Sequence, residues 1–158
     1  MDPNVRRQVL RMIPYGLYVA TARWEEKIAA ATIDWVTQAS FEPPLLVCCL
    51  RKESFIYEVI RKARIYALHP LSEGEKDFAA DFFKHREATD THINGHAYRL
   101  APSGAPILEE PAACIELEWL DELSQGDHSV VLGRVLNVER KREARALLLR
   151  ETGWNYGG

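Results

Sequence analysis

The chain is short of most features that would assign it to a class at once. It has three cysteines in 158 residues. Two of them, Cys48 and Cys49, are adjacent in an apolar run, where side chains point to opposite faces and pair poorly with each other. A disulfide framework is therefore excluded, and reduced thiols point to a cytoplasmic chain. The first residues, Met1-Asp2-Pro3-Asn4, show no apolar run of the signal-peptide kind. No stretch approaches the ~18 apolar residues a spanning helix needs, so no membrane role is expected. Charge is nearly balanced at −3, so no global field favours nucleic acid. Gly-rich phosphate signatures are missing too: neither G-x-G-x-x-G nor G-x-x-x-x-G-K-[ST] occurs. His92 and His96 stand in a loop without cysteine or carboxylate partners nearby in sequence, and no metal site is expected. Cys48 and Cys49 have no neighbouring base and read as apolar filler rather than nucleophiles.

What is present is a core-building composition, 47% hydrophobic, at the size of a single domain spanning 1–158. Asp2 or Asn4 caps a first helix that Pro14 ends. Residues 15–24 read as a strand, 25–27 as a turn and 28–40 as a second strand. Pro43-Pro44 breaks the pairing, and 45–51 follows as a strand apolar on both faces and therefore central. A helix over 54–63 starts on Ser54. A strand covers 64–69, and Ser72 and Glu75 have capping-box spacing before a helix over 77–85. Residues 86–111 read mostly as loop. Strands over 113–120, with Glu116 and Glu118 facing out, and over 129–139 complete the sheet. Residues 143–151 read as helix and 153–158 as a loose tail. About six strands with short connections predict a mainly antiparallel β-barrel with peripheral helices.

The stretch ATIDWVTQASFEPPLLVCCLRK, residues 30–51, carries the functional signal. A strand with Thr32, Asp34, Thr37, Gln38 and Ser40 precedes one that is almost wholly apolar. Small residues at 29–32 let a flat heterocycle approach the backbone, and Gln38 and Ser40 can read its polar edge. Arg51, Lys52 and Ser54 bring cations, a hydroxyl and a helix N-terminus together, which suits a phosphate. On composition alone, Arg51 and Lys52 read equally well as a solvated strand end.

The runs YGLYVAT and ATIDWVTQASFEPPLLVCCLRKES, followed in order by ALHPLSEGEKDFAADF, SGAPILEEPAACIELEWL, GDHSVVLGRV and TGWNYGG, resemble the flavin reductase-like family over roughly residues 8–158. The resemblance implies an FMN-binding split barrel, with FMN ahead of FAD, held at a homodimer interface. It implies a site along Thr32, Ile33, Asp34, Trp35 and Val36, then Gln38, Ala39 and Ser40. Cys49, Leu50, Arg51, Lys52 and Ser54 would extend it toward the phosphate, with Phe82 and Lys84 contributing from the helical insertion. His128 matches a histidine that lies near the flavin in many members. It would stabilise reduced flavin or position a nicotinamide, and it reads equally as a structural bond closing the 124–129 turn. One departure stands out: many members have two serines where this chain has Asp34-Trp35. A carboxylate near a phosphate is costly, so either Asp34 pairs with Arg51 or Lys52, or the phosphate shifts along the strand. The activity implied is an NAD(P)H-dependent flavin reductase, NADH or NADPH giving hydride to the flavin, with a monooxygenase or other electron acceptor as partner. The alternative is a flavoredoxin-like electron carrier without NAD(P)H activity of its own.

Overall fold

The computed structural model describes residues 1–157. Ten strands, three α-helices and one 3-10 turn form a mainly antiparallel β structure. Helix α1 (Pro3–Leu10) starts where the Asp2 carboxylate accepts the amides of Asn4 and Val5 and stops well before Pro14. Strands β1 (Tyr18–Trp24) and β2 (Lys27–Ile33) form a hairpin about Glu25, which takes a positive φ of 53°. Then come β3 (Val36–Ser40), β4 (Leu45–Arg51), α2 (Phe55–Ala63), β5 (Ile65–Pro70) and α3 (Lys76–Asp81). The short strands β6 (His92–Ile93), β7 (His96–Leu100) and β8 (Pro106–Leu108) precede the long pair β9 (Ala113–Leu123) and β10 (His128–Arg140).

The main sheet runs β2-β1-β5-β9-β10-β4-β3. Its two outermost strands, β2 and β3, are consecutive in the chain and joined only by Asp34 and Trp35. Three peptide steps span at most about 11 Å, so the sheet must curl until its edges nearly meet. The edges do not pair with each other, which leaves a seam, as the split-barrel expectation requires. On one side of the seam, the β3–β4 ladder extends into the junction, where the Trp35 carbonyl accepts the Cys49 amide at 2.9 Å.

Helix α2 fills one side of the curl. Ser54 Oγ accepts the Tyr57 amide at 3.3 Å and fixes its start. Ile56, Val59 and Ile60 bury into a core with Ala20, Ala22 and Ala29 of β1 and β2. Those alanines leave room for a helix against the sheet. The other face of the same hairpin, with Val19, Ile28 and Ala30, packs on Phe78, Ala79 and Phe82 from the α3 region and on Ile93, Tyr98 and Leu108 of the small sheet. Strand β1 is thus buried on both faces. The expectation that 45–51 is the central strand is corrected: β4 lies next to the edge strand β3, and its buried residues alternate with half-buried ones.

Other expectations also change. The single strand over 28–40 is two strands, because the chain turns from one edge of the sheet to the other at Asp34-Trp35. Residues 86–111 hold the three-stranded sheet rather than loop. Its β6–β7 hairpin turns on Asn94 and Gly95, both at positive φ (51° and 88°), the geometry a two-residue Asn-Gly turn favours. The helix over 143–151 reduces to a 3-10 turn, Leu149–Glu151. The segment before it runs extended between two neighbours, with the Leu147 amide on the Leu71 carbonyl at 2.9 Å and the Leu17 amide on the Leu147 carbonyl at 3.2 Å. Tertiary pairing overrides helical periodicity there. Glu116 points away from Leu117 and Trp119 but not into solvent: that face is covered too, and Glu116 is buried, accepting from Ser103 Oγ at 2.5 Å and Asn137 Nδ2 at 2.9 Å.

Candidate functional site

The seam opens into a cavity of about 510 Å³, within the ~300–1,000 Å³ range of small-molecule sites. Its walls come from elements far apart in sequence. The end of β2 contributes Thr32, Ile33 and Asp34, and the end of β4 contributes Cys49, Leu50 and Arg51. Ser54 and Ile56 stand at the start of α2, Phe82 and Phe83 follow α3, and Leu17 precedes β1. Leu149, Trp154, Asn155 and Tyr156 close it from the C-terminal side.

Several expected site residues therefore meet in one place: Thr32, Ile33, Asp34, Cys49, Leu50, Arg51, Ser54 and Phe82. Others fall outside the walls. Val36, Gln38, Ala39 and Ser40 lie on edge strand β3, with Gln38 and Ala39 exposed. Trp35 packs beside the cavity, 5.4 Å from the Tyr156 ring and 4.8 Å from His128. Lys52 turns toward the 127 loop, its amide on the Asp127 carbonyl at 3.1 Å. Lys84 is exposed, and its carbonyl accepts Asn94 Nδ2 at 3.0 Å. His128 lies one layer back, behind Tyr156. Trp154 and Tyr156, expected in a loose tail, form part of the wall. Two large aromatics in six residues were the available signal, since such side chains seldom stay wholly in solvent.

Two hydroxyls in the walls are already committed. Thr32 Oγ1 donates to the Ala79 carbonyl at 2.6 Å, and the Thr32 amide to the Phe82 carbonyl at 3.1 Å, which ties the end of α3 to β2. Ser54 Oγ donates to the Arg51 carbonyl at 2.6 Å while capping α2. Arg51 is the cation on the wall. Its nearest acid is Glu53, at 3.5 Å, with both side chains largely exposed, a pairing that restrains it little.

Asp34 behaves differently. It is 5% exposed, and its Oδ2 has no hydrogen-bond partner. It forms no ion pair with Arg51 or Lys52, so the first of the two alternatives set by the sequence is not realised. Burial pushes its carboxyl up to about 6, against the backbone N–H groups of Asp34 and Trp35 and the nearby His128, which favour the charged form. The same charge, added to burial, raises Tyr15, Cys49 and Tyr156. A thiol raised in this way is a poor nucleophile. No metal-binding cluster exists among the described residues. The chemistry that remains is that of a largely apolar slot with a cation and a helix N-terminus at one side.

The family model for the flavin reductase like domain matches residues 10–156. The chain belongs to this family. A flavin reductase of Pseudomonas putida is 29% identical over 159 residues, covering 100% of this chain and 91% of that one. A probable flavin reductase of Rhizobium meliloti is 33% identical over 139 residues, covering 87% of this chain but 44% of its own length. Among solved structures, an NADH:FAD oxidoreductase of Streptomyces globisporus superposes with a TM-score of 0.80 at 26% identity, covering 94% of this chain and 90% of that one. A putative oxidoreductase of Sinorhizobium meliloti gives 0.78 at 31% identity, and this chain spans 51% of its length. The chain thus spans about half the length of some relatives and nearly all of others.

The Asp34 carboxyl carries a pH signature. In the folded protein it binds its proton up to about pH 6, whereas unfolded it releases it near 3.8. Between those values the native state holds more protons, so stability falls as pH rises through this window. Asp34→Asn is expected to leave stability near pH 4 almost unchanged. At pH 8 it should raise stability, by about 1–2 kcal/mol once solvent screening at the cavity wall is allowed for. Denaturant melts of the ligand-free protein at both pH values measure this, and an equal effect at both would show that the carboxyl is not the cause.

Proposed function

We propose that the cavity binds FMN and that the protein is an NAD(P)H-dependent flavin reductase. The observation that carries this is the seam cavity itself: apolar walls with Arg51 and the N-terminus of α2 on one side, in a chain of the flavin reductase-like family. A flavin has the matching parts, a flat apolar ring and a phosphate tail. Ile33, Leu50 and Phe82 offer surface for the ring. Arg51 offers a charge-assisted hydrogen bond to the phosphate, a role better suited to it than to Lys52, whose side chain does not line the cavity. When bound, the flavin supplies the hydride-accepting chemistry, and the protein's part is to bind, orient and exclude water. Holding two rings in register is the main gain available to such a site.

The names of relatives extend this reading. One, 30% identical over 135 residues, is a stachydrine N-demethylase reductase subunit of Rhizobium meliloti. A structural neighbour from Mycobacterium thermoresistibile is nitrilotriacetate monooxygenase component B, with a TM-score of 0.80 at 26% identity. An oxygenase component is therefore the partner class proposed for the reduced flavin. A second reading rests on a different relative. A diflavin flavoprotein of Synechocystis is 29% identical over 138 residues, where the matched region is 24% of that protein. There the matched region is part of a larger flavoprotein chain, and the reading it favours here is a flavoredoxin-like electron carrier without NAD(P)H activity of its own. Three cysteines without a disulfide favour a cytoplasmic location. A homodimer is proposed as well, because Phe41 (91% exposed), Leu123 and Val138 leave apolar surface uncovered.

Anaerobic addition of NADH or NADPH to the FMN-loaded protein is expected to bleach the flavin band rapidly. Bleaching only by a reduced protein partner would favour the carrier reading, and a protein that takes up neither FMN nor FAD would refute both. Arg51→Ala should weaken FMN about tenfold or more, since a charge-assisted bond is worth roughly 1.5–3 kcal/mol. Riboflavin, which has no phosphate, should bind that variant as it binds the wild type. Equal losses for the two ligands in a titration would remove Arg51 from the phosphate site. Light scattering across a range of concentrations is expected to give twice the chain mass, and a monomer with tightly held FMN would contradict the dimer.

A further inference from the structure

The outer wall of the cavity is made by Trp154, Asn155 and Tyr156 of the C-terminal segment. Backbone bonds hold this segment only lightly. The Trp154 amide donates to Thr152 Oγ1 at 3.0 Å, and the Gly157 carbonyl accepts from Arg11 Nε at 3.4 Å. Among the described residues, no amide from 155 to 157 donates to the body of the protein. Side chains hold the segment instead. Trp154 stands edge-on to Phe83 at 4.7 Å, with the Lys76 ammonium 5.1 Å from its ring. The Tyr156 ring meets Trp35 edge-on at 5.4 Å. Tyr156 Oη and His128 Nε2 are 2.8 Å apart, and His128 Nδ1 is 2.8 Å from Asp127 Oδ1. The His128 ring holds the Asp127 carboxyl below its usual range, which keeps it an acceptor. Nδ1 then carries the imidazole proton, and in the neutral ring Nε2 is left to accept from the Tyr156 hydroxyl. His128 does not itself reach the cavity wall, while Tyr156 does.

We propose that Tyr156 is a positioning residue of the flavin site and that His128 acts through it. The Asp127–His128 pair latches Tyr156, and with it residues 154–157, across the mouth of the cavity. A flavin enters and leaves when the His128–Tyr156 hydrogen bond opens. The proposal rests on reading the cavity as a flavin site. It changes the role of the histidine singled out by sequence: its ring orients a tyrosine hydroxyl on the wall instead of meeting the ligand directly. Tyr156 is partly exposed and also lines the cavity, so it stands between ligand and solvent, where such a latch must be.

Two measurements test the pair, one without flavin. In the ligand-free protein, chymotrypsin cleavage after Trp154 is followed as loss of the terminal segment by intact mass. Tyr156→Phe keeps the ring and loses only the hydroxyl, and His128→Ala loses its partner. Each should speed trimming several-fold, and adding Tyr156→Phe to His128→Ala should give no further increase, because the hydroxyl has already lost its acceptor. In the FMN-loaded protein, the dissociation rate is read from recovery of flavin fluorescence on dilution. A neutral hydrogen bond of ~1 kcal/mol corresponds to about a fivefold faster release. The double variant should again release flavin at the rate of His128→Ala alone and not at the product of two separate effects. His128→Gln, whose amide still offers an acceptor, should stay near the wild-type rates. Multiplying effects in the double variant, or unchanged rates in Tyr156→Phe, would overturn the latch. A wild-type protein that does not bind FMN would overturn the flavin reading and the positioning role with it, and the trimming rates would still decide whether the latch exists.

Discussion

Two residues, Asp34 and Trp35, join the first and last strands of a seven-stranded sheet. That covalent tie is the constraint on which the rest of the architecture depends. A sheet of this width would otherwise twist open, with its ends far apart. Because the junction is so short, the sheet must curl, and the interior of the curl must be filled. Helix α2 fills one part with Ile56, Val59 and Ile60. The remaining gap, along the ends of β2 and β4, is the cavity. The fold and the site are therefore consequences of one local feature. The polar groups of the junction show what this geometry costs: Asp34 Oδ2 and Trp35 Nε1 are both buried without partners. Such costs tend to persist where a site needs the conformation that causes them.

The surrounding elements lock the junction in place from behind. Thr32 sends both its amide and its hydroxyl to carbonyls of the α3 region, so the wall residues Phe82 and Phe83 are fixed relative to β2. Inside the curl, in the core shared with α2, Gly133 of β10 faces the Tyr66 hydroxyl so closely that a Cβ would collide with it. That glycine lies at a register shift between β9 and β10, where a missing side chain and an irregular ladder together let the long strands bend.

Much of this was legible in the sequence because it is encoded locally. The Asp2 and Ser54 caps, the apolar run of β4 and the break at Pro43-Pro44 all rest on neighbours within a few residues. The family was legible from the order of such runs. Less visible was anything decided by distant partners. Residues 143–151 have helical periodicity, but pairing with Leu17 and Leu71 holds the segment extended. The polar positions of β3 looked as suitable for a ligand as those of β2. Only the turn at Asp34-Trp35 sends one strand to the cavity and the other to the exposed edge. Asn94-Gly95 was a readable hairpin signal, obscured by its polar surroundings. His128 could be picked out by position, but its partner Tyr156 lies 28 residues on, a separation over which sequence alone indicates no contact.

The four tryptophans divide according to the same plan. Trp154 lines the cavity and Trp35 packs against its tail. Trp24 lies under the ammonium of Lys62 at 4.3 Å, and Trp119 beneath the guanidinium of Arg64 at 5.2 Å, both among the residues grouped around the α2 core. The protein thus carries two optical populations, one bordering the cavity and one packed around the core. Light emitted by the first reports on what occupies the seam, and light from the second on whether the curl is intact. Occupancy and folding can therefore be followed in a single unlabelled sample.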